Sequence, residues 1–232
     1  MRFKENAMSI KKKISKLIRE HHPISAGLIR KMHKEIKNTG ASFLCPNCIG
    51  GHLFHDMGLQ FRSPTVNLML FQPDFVKFVR NMDHYLAQEL KFFNHPEHEF
   101  PCAKLDDITI HFTHYHTEQE AAEKWHARAQ RLDRDNLFVF LTERDGLTRE
   151  EILSLKDLKL RGLVVFTANH YPDIPYALHI PKYEADGEVG NILAMSALDG
   201  KREYERYFDF VKWFNEAGAD PTFNIAPYAK RG

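Results

Sequence analysis

Beyond residue 40, short apolar runs alternate with longer stretches of helical periodicity, the pattern of strands interleaved with helices. The runs predict strands at Ser42–Leu44, Val66–Phe71, Ile108–Thr113, Leu137–Thr142, Leu163–Thr167 and Tyr176–Ile180. Between them, Pro73–Lys91 puts Phe75, Phe78, Val79, Met82, Leu86 and Leu90 on one face and opens with proline, which a first helical turn tolerates. Thr117 with Glu120 and Thr148 with Glu151 match the capping box, so helices should start near 118 and 149. A further helix over Lys201–Ala217 carries Tyr204, Tyr207, Phe208, Val211 and Phe214 inward. The expected fold class is α/β: three layers, helix over sheet over helix, around a mostly parallel or mixed sheet. No Gly/Ser/Pro-rich linker or internal repeat divides it, so residues 41–232 read as one domain.

Residues 1–40 have a different character. Ile10, Ile14, Leu17 and Ile18, then Leu28, Ile29, Met32 and Ile36, recur at helical spacing among lysines and arginines, giving two amphipathic helices broken at Pro23. This arm holds eleven Lys/Arg against three Glu, so a chain of net charge +1 divides into an arm of +8 and a body of −7. A basic arm suits an anionic surface, such as the cytoplasmic face of a membrane, or else it packs its apolar stripe on its own domain. The acidic body and the lack of a recognised reading module argue against nucleic acid.

At 232 residues, with 43% hydrophobic and 27% charged positions and eighteen phenylalanines, the chain can bury an aromatic-rich core without staples. Its three cysteines make no disulfide framework, and no run of about 18 apolar residues is present. A cytoplasmic protein, at most peripheral at the membrane, is expected.

Ligands of parallel α/β sheets bind beyond the carboxyl ends of the strands, so the residues following each strand are the place to look for chemistry. Behind Ser42–Leu44 comes "CPNCIGGHLFHDMG". Cys45, Cys48, His52 and His55 could hold zinc, although their spacing fits no common finger; Cys45 and Cys48 could be a redox pair; or the stretch is a strand-to-helix turn. In that third reading, Asn47, Gly50 and Gly51 admit a ligand and the helix presents His55 and Asp56. Behind Leu137–Thr142 come Glu143, Arg144 and Asp145: two carboxylates for a hard cation such as Mg²⁺ or Mn²⁺ and an arginine for phosphate, or simply an acidic turn. Near the third strand, His111 and His114 are candidates, and Lys124, Arg128 and Arg131 form a basic stripe suited to a diphosphate or a solvated helix face.

Several separate blocks, "CPNCIGGHLFHDMGLQFRSPTVNL", "KLDDITIHFTHY", "EAAEKWHARAQR", "DNLFVFLTERDG" and "VVFTANHYPDI", together resemble a bacterial family of unknown function often labelled exopolysaccharide biosynthesis protein. The likeness covers roughly residues 40 to 217. It implies a place among capsule, exopolysaccharide and lipopolysaccharide proteins and a glycosyltransferase activity. The family usually carries Ser-Asn-Asn-Cys before the glycines, so Cys45 stands where serine is usual, and Asp-Arg-Asp where this chain has Glu143-Arg144-Asp145. A zinc or redox role for Cys45 would thus be private to this chain, and zinc is not expected.

The resulting expectation is transfer of a sugar from a nucleotide-sugar donor to a glycan or lipid-linked acceptor. His55 or Asp56 would act as base, Glu143 and Asp145 would hold a cation, and Arg144, Lys124 and Arg128 would face the diphosphate. Asn47, Gly50, Gly51, His111 and His114 would contact substrate. The alternatives are a metal-dependent polysaccharide hydrolase or deacetylase with His55, Asp56, His111 and His114 as ligands, and a noncatalytic pathway subunit.

Overall fold

A computed structural model describes residues 23–196, 198–218 and 220–230. Strands and helices interleave in it as expected, but they build two sheets. The larger is wholly parallel, in the order β1 (Ser42–Leu44), β5 (Leu137–Thr142), β6 (Gly162–Thr167), β7 (Ala177–His179). All six residues of β5 and of β6 are buried, which explains their uninterrupted apolar spelling: a central parallel strand is covered on both faces. A second, antiparallel sheet of β2 (Lys91–Phe93), β3 (Cys102–Leu105) and β4 (Ile108–His111) is inserted in the long β1–β5 connection. Its β3–β4 hairpin closes on Asp106-Asp107, with Asp106 at φ 58°, a left-handed position that aspartate tolerates.

One face of the parallel sheet is aromatic. Phe43, Phe138, Phe140 and Phe166 meet Phe210, Trp213 and Phe214 at ring separations of 4.8–6.3 Å, mostly edge to face. Fully burying one such ring is worth about 1.5–3 kcal/mol, and favourable ring geometry adds about 0.5–1.5 more. Gly162 lies in this layer because a Cβ there would come within 2.7 Å of Phe138 and 2.8 Å of Trp213.

Several elements depart from the periodicity. The long helix expected over Pro73–Lys91 is α3 (Gln72–Arg80) and α4 (Met82–Leu86), broken at Asn81, which takes φ −132° and ψ 44°. The one expected over Lys201–Ala217 is α7 (Glu203–Tyr207) and α8 (Phe210–Glu216). Phe208 is extended between them, and the Asp209 carboxylate restarts the helix by accepting the Lys212 N–H. Val66–Phe71 is no strand: Asn67 takes φ 64°, and only Met69 pairs, with His111. Capping at Thr117 and Thr148 starts α5 (Glu118–Ala129) and α6 (Arg149–Leu153) where expected.

The first helix expected in the arm lies outside the described residues. The second is α1 (Pro23–Glu35), which is bonded to the domain. The buried Ser25 hydroxyl donates to the Gly200 carbonyl, and Asn215 bridges the Glu35 carbonyl and the Lys37 and Asn38 amides. No described helix is long and apolar enough to cross a membrane.

Candidate functional site

The turn after β1 enters α2 (Ile49–Asp56). Asn47 Oδ1 accepts the Ile49 N–H, and the buried Cys45 Sγ donates to the Asn47 carbonyl and accepts the Gly50 N–H. A thiol here makes the same two bonds that a hydroxyl would. Burial pushes Cys45 up to about 12, which keeps it a neutral thiol at neutral pH. Gly50 and Gly51 are packed against protein. An added Cβ would come within 2.8 Å of Cys45 Sγ at Gly50 and within 2.6 Å of Asn67 Oδ1 at Gly51. Asn47, Gly50 and Gly51 therefore shape the turn, with no space between the glycines and their neighbours.

Along α2 the i, i+4 spacing lines up Cys48, His52 and Asp56, with His55 beside them. Cys48 Sγ lies 3.1 Å from His114 Nε2, a side chain that arrives from the loop after β4. Asp56, only 2% exposed, meets Nδ1 of the half-exposed His55 at 3.3 Å and Nε of Arg202 at 3.8 Å. Arg202, itself buried at the start of α7, also donates from Nη1 to the Leu193 carbonyl and from Nη2 to His52 Nδ1 at 3.2 Å. A guanidinium only donates, so His52 must turn its lone pair to Arg202 and carry its proton on Nε2. Burial, then the Arg202 charge, push His52 down to about 4, and it is a neutral donor at physiological pH.

The carboxyl end of the neighbouring β5 differs from expectation. Glu143 is buried, and four donors fill its oxygens: the Ala168 and Asn169 amides on Oε2 at 2.8 and 2.9 Å, and Asn169 Nδ2 and the Tyr171 hydroxyl on Oε1 at 2.9 and 2.5 Å. The carboxylate ties β5 to the turn after β6, which leaves it poorly placed to ligate a cation with Asp145. Asp145 takes φ 55°, is followed by Gly146 at φ 82°, and pairs with Arg144 at 3.3 Å. Burial, and then the Glu143 bond, push Tyr171 up to about 12.

Three other expected members are elsewhere. Lys124 is exposed on α5, but Arg128 turns inward, bonding the Val66 carbonyl at 2.8 Å and the Tyr115 hydroxyl and lying over the Phe61 ring. The basic stripe is thus divided between solvent and core. His111, buried, faces Cys102 Sγ at 3.5 Å and the rings of His95, His98 and Phe71, away from His114 on Cys48. The ligand set His55, Asp56, His111 and His114 is not gathered, and among the described residues no three His, Cys, Asp or Glu are arranged to hold a metal ion.

A family model described as a domain of unknown function (DUF1919) matches residues 21–215. The chain belongs to that family. An uncharacterized protein of Haemophilus influenzae is 42% identical to it over 188 residues, which are 81% of this chain and 90% of the relative. This family's span takes in α1, both sheets and all of α8 but its last residue, so every group of the α2 cluster falls within it.

Reading from sequence identified His55, Asp56 and His114 but passed over three members. In sequence Cys48 and His52 stand as zinc candidates, Cys48 also as a redox partner of Cys45, and Arg202 is one position of the helix expected over Lys201–Ala217. The C-x₃-H-x₃-D spacing of Cys48, His52 and Asp56 was the available signal for the first two, and Arg202, 150 residues from His52, had none.

Proposed function

We propose that this protein is a transferase of surface polysaccharide assembly that moves a sugar from a nucleotide-sugar donor to a hydroxyl of a glycan or lipid-linked acceptor. The observation that carries this reading is the buried Asp56 holding Nδ1 of the accessible His55 on the helix that follows the first strand of the parallel sheet. An imidazole oriented in this way can take the acceptor proton, a contribution of about 10²–10⁴-fold. Asp56, 2% exposed, orients the base. The neutral His52, with its proton on Nε2, donates to a developing negative charge.

Because β1 and β5 are neighbouring parallel strands, the Arg144–Asp145 turn opens on the same sheet edge as the turn that leads into α2. Arg144 supplies positive charge for the departing diphosphate. Mg²⁺ or Mn²⁺ would enter with the diphosphate, since Glu143 has no lone pair to spare. The basic N-terminal arm would keep the enzyme at the inner face of the membrane, where the acceptor is held.

Calorimetry with a panel of nucleoside diphosphates and their sugar conjugates tests the donor site. Binding to at least one is expected, with Arg144→Ala weakening it and His55→Ala leaving binding intact while transfer falls by about 10²-fold or more. Lack of binding to every nucleotide in the panel refutes the reading.

A further inference from the structure

Cys48 and His114 make a contact that sugar transfer does not use. They follow strands of different sheets, Cys48 after β1 and His114 after β4, 66 residues apart, and their reactive atoms meet at 3.1 Å where solvent reaches both. A nucleophile within hydrogen-bond reach of an imidazole is the arrangement that activates thiols for attack on carbonyl carbon. Of the two other cysteines, Cys102 also faces an imidazole, His111 Nδ1 at 3.5 Å, but neither is open to solvent. Cys45 and Cys102 are buried, and burial pushes both thiols up.

The surroundings supply the rest of an acyl-transfer site. Cys48 precedes the first residue of α2, where the helix dipole favours a thiolate. His52 follows one turn later, its proton fixed on Nε2 by Arg202, and it lies within electrostatic reach of His114. A donor hydrogen beside a nucleophile suits the oxyanion of a tetrahedral intermediate. Arg202, 7% exposed, keeps Nε without a hydrogen-bond acceptor among the described residues, so this buried polar network has unspent donor capacity.

We propose that Cys48 and His114 form a nucleophilic pair that accepts an acyl group from an activated thioester and passes it to a hydroxyl. In the first step the Cys48 thiol gives its proton to His114 as sulfur attacks the thioester carbonyl; the new C–S bond forms, the donor's C–S bond breaks, and His114 protonates the departing thiolate. In the second, the acceptor hydroxyl gives its proton to the imidazole as its oxygen attacks the acyl carbon; the C–O bond forms, the bond between that carbon and Cys48 Sγ breaks, and the imidazolium returns the proton to sulfur, restoring the thiol. Electrons and protons balance without an oxidant or cofactor. This activity goes beyond sugar transfer and does not depend on it, since it needs the thiol and no nucleotide.

The test uses the full chain and two probes. Iodoacetamide at pH 6, followed by peptide mapping, should label Cys48 ahead of Cys45 and Cys102 and about fivefold faster than in His114→Gln. That factor is what remains when a ten- to hundredfold gain in thiolate is offset by lower intrinsic nucleophilicity. Acetyl-coenzyme A or p-nitrophenyl acetate should then leave an acetyl group on Cys48, absent in Cys48→Ser and reduced in His114→Gln, with far-ultraviolet circular dichroism confirming that both variants fold. Equal alkylation of native and His114→Gln protein overturns the pairing. Fast alkylation with no acetyl adduct from either probe overturns the acyl-transfer role. Nucleotide binding in the absence of an adduct would leave sugar transfer standing and this proposal refuted.

Discussion

Glu143 provides a direct test of whether the carboxylates after β5 serve structure or a cation. Replacing it with alanine strands the buried Ala168 amide and the part-buried Asn169 amide, N–H donors that cannot rotate toward another acceptor. Each unsatisfied donor costs about 1–3 kcal/mol, and the lost anchor between the ends of β5 and β6 brings the expected total to about 3–5 kcal/mol. Glutamine should cost much less. Its Oε1 can keep both amides, while its Nε2 donates to the Tyr171 hydroxyl, which can turn to accept, and to Asn169 Oδ1 after an amide flip. Only the charge assistance is lost, about 1–2 kcal/mol. Urea denaturation followed by circular dichroism should separate the two variants by about 2 kcal/mol, and their Tm values by roughly 4–8 °C for a chain of this length. The reasoning fails if both variants lose less than about 1 kcal/mol. It also fails if Mg²⁺ or Mn²⁺ stabilises the native protein and neither variant, because that pattern belongs to a cation ligand.

Three further outcomes are expected. His52 has its pKa lowered from 6.5 to about 4 in the folded chain, so the unfolded chain binds the extra proton between those values: stability is full above pH 6.5 and is lost as pH falls toward 4. Native protein should lose about 2–3 kcal/mol more than His52→Gln over that interval in pH-dependent denaturation, and parallel curves would refute the neutral assignment. Arg128→Ala should cost about 2–4 kcal/mol and Lys124→Ala less than about 0.5, since one guanidinium is buried on Val66 and Tyr115 and the other cation is solvated; similar thermal shifts for the two would contradict that division. Gly162→Ala should lower stability by about 1–3 kcal/mol in calorimetry by forcing Phe138 and Trp213 apart, and a neutral result would mean that the aromatic layer yields more easily than its contacts suggest.

What the chain spells locally is borne out where one or two turns of backbone decide it. The buried spelling of Leu137–Thr142 made β5, the Thr117 and Thr148 caps began α5 and α6, and the turn after β1 led into a helix presenting His55 and Asp56. These features depend on hydrogen bonds and periodicity within a few residues, so one sequence suffices to read them. Breaks at Asn81 and Phe208 were missed because the apolar spacing runs unchanged across them, while backbone conformation and, at Phe208, pairing with Ala229 interrupt the helix.

Chemistry at the site was decided at longer range. Types and spacing put His55, Asp56, Glu143 and Arg128 among the candidates, but which of them meet solvent, a donor set or the core follows from packing between segments far apart in the chain. Glu143 was filled by the turn after β6, Arg128 was drawn inward to the Val66 carbonyl, and Arg202 reached Asp56 and His52 from the start of α7. A buried polar group must find its partners wherever the fold supplies them, and no local pattern records which distant side chain will arrive. Cys48 shows this most plainly: in sequence it is a small residue in a glycine-rich turn, and in the tertiary structure it is a thiol 3.1 Å from an imidazole.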